Sequence, residues 1–239
     1  MLAQFGARRM TRDIDILGCA FRNDEAEIMQ RIATIAATEV DDGVEFDPGS
    51  LKTVPMRADE KYNGLRLTMT AAIARARLKL QLDVSFGDPV TPNPQIIHYP
   101  QQLSAERFQI FGYPLATVIA EKLSTAISLG DLNTRERDYA DLYRLVTLHE
   151  LDGGELTTAL TATAEHRGIP LRSLTSSITD LGKRRQSPYA AWRRRQGVAA
   201  KGYPDLFSDV VSIVTAFADP LLIGDAAVLT WHPESNAWS

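Results

Sequence analysis

The chain of 239 residues lacks the features that mark secreted and membrane proteins. Its single cysteine, Cys19, excludes an intrachain disulfide and is typical of a protein in a reducing cytoplasm. No apolar run approaches the ~20 residues that a membrane-spanning helix needs. The chain reaches Arg8, Arg9 and an acidic stretch before any long apolar segment, which argues against a signal peptide. We therefore expect a cytoplasmic protein without a membrane partner.

A strong net charge and a metal-type histidine pattern are also missing. The net charge of −4 argues against a wholly basic nucleic-acid-binding protein, and the four histidines have no zinc-type spacing. Basic residues are nevertheless concentrated late in the chain, and local clusters decide phosphate binding. These residues are Lys183, Arg184, Arg185, Arg193, Arg194 and Arg195. They are either a phosphate-binding patch or an ordinary solvated helix surface.

Two aspartates, Asp13 and Asp15, alternate with aliphatic residues near the start of the chain. This alternation predicts a β-strand with both carboxylates on one face, because successive side chains point to opposite faces. Like charges held side by side repel, and a hard cation such as Mg²⁺ relieves that repulsion. The pattern indicates either a metal-binding face or an edge strand with a solvated polar face.

A later strand, at residues 77–88, has the clearest alternation in the chain. Its apolar face is formed by Leu78, Leu80, Leu82, Val84 and Phe86. Its polar face includes Asp83, which would join Asp13 and Asp15 if the two strands are neighbours. Three carboxylates there would form a two-metal site for phosphoryl or nucleotidyl transfer. The alternative is that Asp83 is an ordinary exposed strand residue.

The second half of the chain is helical in pattern. A helix is predicted from Pro114, and Lys122 lies at the edge of its apolar stripe. Such a lysine either reaches water or is held toward a polar site. On the next helix, predicted to begin with a Thr134 cap, Asp138 and Asp141 share a face because they are three residues apart. Without a partner site, that face would be solvent-exposed and carry weak surface ion pairs.

Three segments then occur in a fixed order. The first is Arg-Met-Thr-Arg-Asp-Ile-Asp-Ile at 9–16, and the second is Leu-Gln-Leu-Asp-Val at 80–84. The third consists of two helical parts, which are Pro-Leu-Ala-Thr-Val-Ile-Ala-Glu-Lys-Leu at 114–123 and Arg-Glu-Arg-Asp-Tyr-Ala-Asp-Leu-Tyr at 135–143. Together they resemble the AbiEii-type nucleotidyltransferases, toxins of type IV toxin–antitoxin and abortive-infection systems. These toxins belong to the polymerase-β-like nucleotidyltransferase superfamily. The resemblance extends over residues 5–148, and its two helical segments are the most distinctive part.

The resemblance implies roles for the acidic strands. Asp13 and Asp15 would be the catalytic metal-binding pair, with Asp83 as the third carboxylate, and the metal would be Mg²⁺ or Mn²⁺. Arg9 would support the turn at this strand or contact phosphate.

The resemblance also implies roles for the helical half. Lys122 would be catalytic by binding the phosphates of an NTP and stabilising the leaving pyrophosphate. Asp141 would be the acidic residue of the last motif, with Asp138 beside it at the nucleotide. The basic stretch 183–201 would contact the RNA backbone.

One departure from the superfamily pattern concerns glycine. The superfamily has a Gly-Gly or Gly-Ser helix start ahead of the acidic strand, where backbone N–H groups hold the triphosphate. In this chain Gly6 is the only glycine before Asp13. Either the chain begins late or the phosphate-binding turn is reduced. The protein would then be inactive, poorly stable or completed by another molecule.

We therefore predict an α/β fold with a mixed sheet and flanking helices. The nucleotidyltransferase sheet domain would occupy residues 1–112, and a mainly helical domain would occupy 113–239. The predicted strands span 10–17, 44–46, 52–56, 65–71 and 77–88. The helices predicted after residue 148 span 152–168, 189–196 and 205–218.

The expected function is transfer of a nucleoside monophosphate from an NTP to an RNA acceptor, the tRNA 3′ end, which blocks translation. The expected partners are therefore an NTP, tRNA or another RNA, and a cognate antitoxin protein. Two alternatives remain open. One is a nucleotidyltransferase that modifies a small molecule or a protein, and the other is a degenerate, non-catalytic nucleotidyltransferase-like binding module.

Overall fold

The computed structural model describes residues 5–6, 13–19, 24–58, 62–101 and 105–239. These residues form two compact units: one lies within Thr11–Asp88, and the other contains Pro89–Ser239 together with Phe5 and Gly6. The predicted boundary after residue 112 differs from this division, because a hairpin before that residue belongs to the helical unit. Thr117 of the helical unit holds the segment just before this hairpin. Its hydroxyl donates to the Thr91 carbonyl at 2.7 Å and accepts from the Thr91 N–H at 3.0 Å.

The Thr11–Asp88 unit is a mixed sheet with one helix. Its elements are β1 (Ile14–Gly18), α1 (Glu25–Ala36), β2 (Val44–Ala58), β3 (Tyr62–Ile73) and β4 (Ala76–Phe86). The strand order is β1-β4-β3-β2, with β1 parallel to β4 and the other two pairs antiparallel. Helix α1 buries Ile28 against Leu65, Leu67 and Val84, so one face of the sheet is covered. The predicted mixed sheet is thus confirmed.

Strand β2 is one continuous strand where the sequence predicts two. The expected break at Asp47-Pro48-Gly49 is a bulge, where the pairing with β3 shifts between Asp47 and Lys52. The hydroxyl of Ser50 donates to the Asp47 carbonyl at 2.7 Å and accepts from the Thr70 N–H at 2.9 Å. These two hydrogen bonds satisfy backbone groups that the bulge would otherwise leave without partners, and the strand continues.

The second unit is mainly helical. In chain order it contains β5 (Gln95–Pro100), β6 (Arg107–Gly112), α2 (Leu115–Leu129), α3 (Glu136–Leu148), β7 (Leu151–Asp152), α4 (Gly153–Arg167), α5 (Leu181–Arg184), α6 (Gln186–Arg194), α7 (Phe207–Ile223), β8 (Thr230–His232) and β9 (Ala237–Trp238). The helices predicted from Pro114 and after residue 148 are confirmed in position. The predicted Thr134 cap is wrong: α3 begins at Glu136, and the Asn133 side-chain oxygen accepts from the Arg135 N–H at 2.7 Å.

The core of this unit lies between α2, α3 and α7. Leu123, Leu142 and Phe217 are fully buried there. The last strands close the core, because the indole N–H of the fully buried Trp231 donates to the Val146 carbonyl at 2.7 Å. No helix among the described residues is long and apolar enough to cross a lipid bilayer.

Candidate functional site

The acidic strands are direct neighbours in the sheet. Asp15 on β1 is the register partner of Asp83 on β4, and Asp83 is in turn the partner of Arg66 on β3. Register partners project to the same face of a sheet, so these three side chains lie side by side. Helix α1 packs on the other face. Strands β1 and β4 are therefore neighbours, which is the condition under which Asp83 joins Asp13 and Asp15. We call the surface formed by Asp13, Asp15, Asp83 and Arg66 the carboxylate face.

Arg66 holds Asp83 in a two-pronged ion pair. Its Nε lies 2.8 Å from Asp83 Oδ1, and its Nη2 lies 2.6 Å from Oδ2. The Asp83 side chain is only 11% exposed, whereas that of Arg66 is 44% exposed. The hydrogen bond to Asp83 is the largest cause that raises the pKa of the Arg66 guanidinium, and the negative charges of Asp83, Asp13 and Asp15 add to it. Arg66 thus balances charge from three carboxylates.

The fit of a divalent cation to this face depends on Arg66. Asp13 and Asp15 supply the hard oxygen donors that Mg²⁺ and Mn²⁺ prefer, so their chemistry fits such an ion. Both oxygens of Asp83 are bonded to Arg66 instead. Among the described residues, no three His, Cys, Asp or Glu side chains are grouped so that they could hold a metal ion. In this arrangement Arg66 supplies the positive charge beside Asp83.

A second cluster lies in the helical unit. Lys122 on α2 donates to Asp138 Oδ1 at 3.0 Å and to Asp141 Oδ2 at 2.8 Å, both on α3. The Lys122 side chain is 16% exposed, that of Asp138 8% and that of Asp141 1%. Arg135 adds a fourth charge, with its Nε 2.5 Å from Asp138 Oδ2. Lys122 is thus held toward a polar site, and a solvent-facing interpretation of Asp138 and Asp141 is wrong.

Electrostatics keep this second cluster charged. Burial would lower the pKa of the Lys122 ammonium, but the charges of Asp141 and Asp138 outweigh burial and raise it. Burial would likewise raise the pKa of Asp138, but the charges of Lys122 and Arg135 lower it. Lys122 therefore remains an ammonium at neutral pH, and two of its three N–H bonds are used by the carboxylates.

Most of the predicted RNA-binding residues have acidic partners within the helical unit. The ion pairs are Lys183 with Asp180, Arg184 with Asp131, Arg185 with Glu136, and Arg193 with Asp205. Arg194 and Arg195 are exposed at the end of α6, and neither has an ion-pair partner within the part of the chain that the structure describes. These two arginines are consequently the strongest candidates in the basic stretch for contacts with phosphate.

The predicted site residues thus fall into two groups. Asp13, Asp15 and Asp83 belong to the sheet unit, whereas Lys122, Asp138 and Asp141 belong to the helical unit; Arg9 lies outside the described residues. Sequence reasoning missed Arg66. Its signal is weak: it is a charged residue between Leu65 and Leu67 on a strand, and only the strand register reveals that it faces Asp83.

Residues 1–214 match the family described as nucleotidyl transferase AbiEii toxin of type IV toxin–antitoxin systems. The match covers most of the chain, so the protein belongs to this family of toxins, and the resemblance in the three segments is confirmed. The type IV toxin–antitoxin family implies an antitoxin as a partner.

Two solved structures from Helicobacter pylori are similar to this chain. One is a candidate nucleotidyltransferase, 16% identical, with a TM-score of 0.48 over 92% of this chain and 81% of that chain. The other is JHP933, 15% identical, with a TM-score of 0.48 over 92% of this chain and 79% of that chain. No curated protein matches the sequence.

Proposed function

We propose that this toxin transfers a nucleoside monophosphate from an NTP to an RNA hydroxyl, with the 3′ end of tRNA as the acceptor. The modified tRNA would not accept an amino acid, and translation in the cytoplasm would stop. The observation that supports this proposal most strongly is the register of Asp15 with Asp83 on one face of the sheet. In a nucleotidyltransferase family, such neighbouring carboxylates favour phosphate chemistry assisted by divalent cations.

The reaction requires no covalent enzyme intermediate. The acceptor oxygen forms a bond to the α-phosphorus of the NTP, the bond from that phosphorus to the β-phosphate oxygen breaks, and pyrophosphate leaves. The hydroxyl proton passes to solvent. Mg²⁺ or Mn²⁺, held by Asp13 and Asp15, would neutralise phosphate charge when bound. Lys122 would direct its remaining N–H at a phosphate oxygen, while Asp138 and Asp141 hold its ammonium in place.

The acceptor would be bound through its backbone. Arg194 and Arg195 are exposed and adjacent, so they offer two positive charges to RNA phosphates. The net charge of −4 would repel RNA elsewhere on the protein, which makes a local basic patch more important for the acceptor.

A transfer assay tests the proposal. The protein is incubated with each labelled NTP in turn, Mg²⁺ or Mn²⁺, and total tRNA. We expect label in tRNA, none in tRNA whose 3′ terminus has been oxidised with periodate, and none with Asp15→Asn or Lys122→Ala. Glu45→Gln is the matched control, because Glu45 is an exposed carboxylate on β2 of the same sheet, and it should retain activity.

The other outcomes separate the alternatives. Label in a small molecule or in protein, with tRNA unlabelled, would favour a different acceptor. No label in any acceptor, together with retained binding of RNA or antitoxin, would favour a non-catalytic module and would overturn the proposal.

A further inference from the structure

We infer that Arg66 is a built-in counter-ion of the carboxylate face: it holds Asp83, and its positive charge lowers the affinity of this face for a divalent cation. This inference rests on the proposed function of that face. Arg66 would then be a positioning residue that opposes cation binding. No charge pattern in the sequence predicts this role.

The first support is that Arg66 and a cation need the same atoms. Both Asp83 oxygens accept hydrogen bonds from the guanidinium, at 2.8 and 2.6 Å. A planar guanidinium matches a carboxylate in this two-pronged way and occupies one acceptor direction on each oxygen. Its positive charge then lies beside the oxygens that a divalent cation would bind, and it repels such a cation.

The second support is the unequal exposure of the partners. Asp83 is fixed, with 11% of its side chain exposed, whereas Arg66 is 44% exposed on the same face. A long, partly exposed side chain changes rotamer at small cost, and a shallow depression lined by Val54, Pro55 and Met56 lies beside Arg66. Arg66 is therefore the more movable partner, although movement breaks its two charge-assisted hydrogen bonds to Asp83.

The third support is charge. Asp13, Asp15 and Asp83 together carry a charge of −3 when ionised, and the guanidinium of Arg66 contributes +1. Removing a neighbouring positive charge strengthens the attraction of such a face for a divalent cation. Loss of Arg66 would also leave the mostly buried Asp83 without its partner, and a bound divalent cation would compensate for that loss.

Direct titration of the full chain with Mn²⁺, read from the electron paramagnetic resonance signal of free Mn²⁺, tests this inference without any nucleotide. We expect Arg66→Gln to bind Mn²⁺ about tenfold more tightly than the unmodified protein. The double variant Arg66→Gln/Asp83→Asn should return to within about threefold of the unmodified protein, because loss of the Asp83 charge offsets loss of the Arg66 charge. Arg31→Gln is the matched control and should leave Mn²⁺ affinity unchanged. It removes another arginine paired with a carboxylate, Glu27, but on α1, which packs on the other face.

Each remaining result decides the question. Unchanged or weaker Mn²⁺ binding by Arg66→Gln, or a gain that persists in the double variant, would overturn the inference. Should Arg66→Gln fail to fold, Arg66→Lys takes its place: it keeps the positive charge, so Mn²⁺ affinity should stay within about threefold of that of the unmodified protein, and a larger gain would count against the inference. If Arg66→Gln binds Mn²⁺ more tightly but the unmodified protein transfers no nucleotide, only the proposed function is contradicted. If the unmodified protein transfers nucleotide but Arg66→Gln binds Mn²⁺ as before, only the role of Arg66 is contradicted.

Discussion

The ammonium of Lys122 lies 2.8 Å from Asp141 Oδ2, and only 1% of the Asp141 side chain is exposed. Replacing Lys122 with methionine keeps most of the unbranched side chain but leaves the buried carboxylate without this cation. Loss of one partner from a buried ion pair costs about 3–5 kcal/mol. We therefore expect Lys122→Met to lower the free energy of unfolding by about 3 kcal/mol or more in urea denaturation at neutral pH.

Lys183→Met is the matched control for that measurement. Lys183 is 83% exposed and lies 3.8 Å from Asp180, so its ion pair is a surface pair. Such pairs contribute little, and we expect a change below about 0.5 kcal/mol. Equal losses of stability in the two variants would contradict the assignment of Lys122 to a buried cluster.

Acid sensitivity follows from the lowered pKa of Asp138. Since Lys122 and Arg135 hold the pKa of this carboxyl below 3.8 in the folded protein, its contribution to stability is fully present above 3.8 and is lost as the pH falls through the folded pKa. Urea unfolding of the unmodified protein should therefore show a loss of stability in this acid range that is smaller in Asp138→Asn. Identical acid profiles for the two proteins would count against this pairing.

The raised pKa of Lys122 predicts the opposite pH dependence of stability, with a loss only at alkaline pH. Its pKa is raised above 10.5 by Asp141 and Asp138, so its contribution is fully present below 10.5 and is lost as the pH rises through the folded pKa. Stability measured up to pH 10.5 should therefore show no loss that depends on Lys122, which the Lys122→Met variant checks.

The elements that sequence reasoning located correctly have strong local signals. Helix α2 combines good helix formers with an apolar stripe, and β4 alternates strictly over its whole length, so local pattern and tertiary packing agree. The sequence also identifies the lysine and the two aspartates of the helical cluster as candidate site residues, because helical spacing places Asp138 and Asp141 on one face.

What the sequence could not predict depends on contacts distant along the chain. The role of Arg66 depends on its ion pair with Asp83 of β4. The bulge in β2 is stabilised because the Ser50 hydroxyl accepts a hydrogen bond from the Thr70 N–H of β3. Trp231 is fixed by the Val146 carbonyl, which is 85 residues earlier in the chain. No local pattern encodes such pairings, since strand register and tertiary hydrogen bonds are set by the whole fold.

The carboxylate face yields a prediction about Asp15. Its side chain is exposed, and it lies beside Asp83 and close in sequence to Asp13. Removing one of several like charges relieves repulsion, so Asp15→Asn should fold with a stability within about 1 kcal/mol of the unmodified protein. The same variant should lose nucleotidyl transfer and bind Mn²⁺ more weakly. Unfolding of Asp15→Asn, or transfer at the original rate, would contradict a site role at this strand.

The basic stretch yields the last prediction, which separates RNA contacts from ion pairs that stabilise the fold. Arg194 and Arg195 are exposed, whereas Arg184 donates to Asp131 Oδ1 at 2.5 Å and to the Thr179 carbonyl at 2.9 Å. The double variant Arg194→Ala/Arg195→Ala should weaken tRNA binding and flatten its dependence on salt, because about two fewer counterions are released, with little change in thermal stability.

Arg184→Ala, measured beside that variant, should show the converse. Thermal stability should fall because Asp131 and the Thr179 carbonyl lose a donor, while the salt dependence of tRNA binding stays nearly as it is. Both quantities come from fluorescence anisotropy with labelled tRNA at several salt concentrations and from thermal unfolding. A flatter salt dependence in Arg184→Ala but not in the double variant would move the RNA-binding surface from the end of α6 to α5.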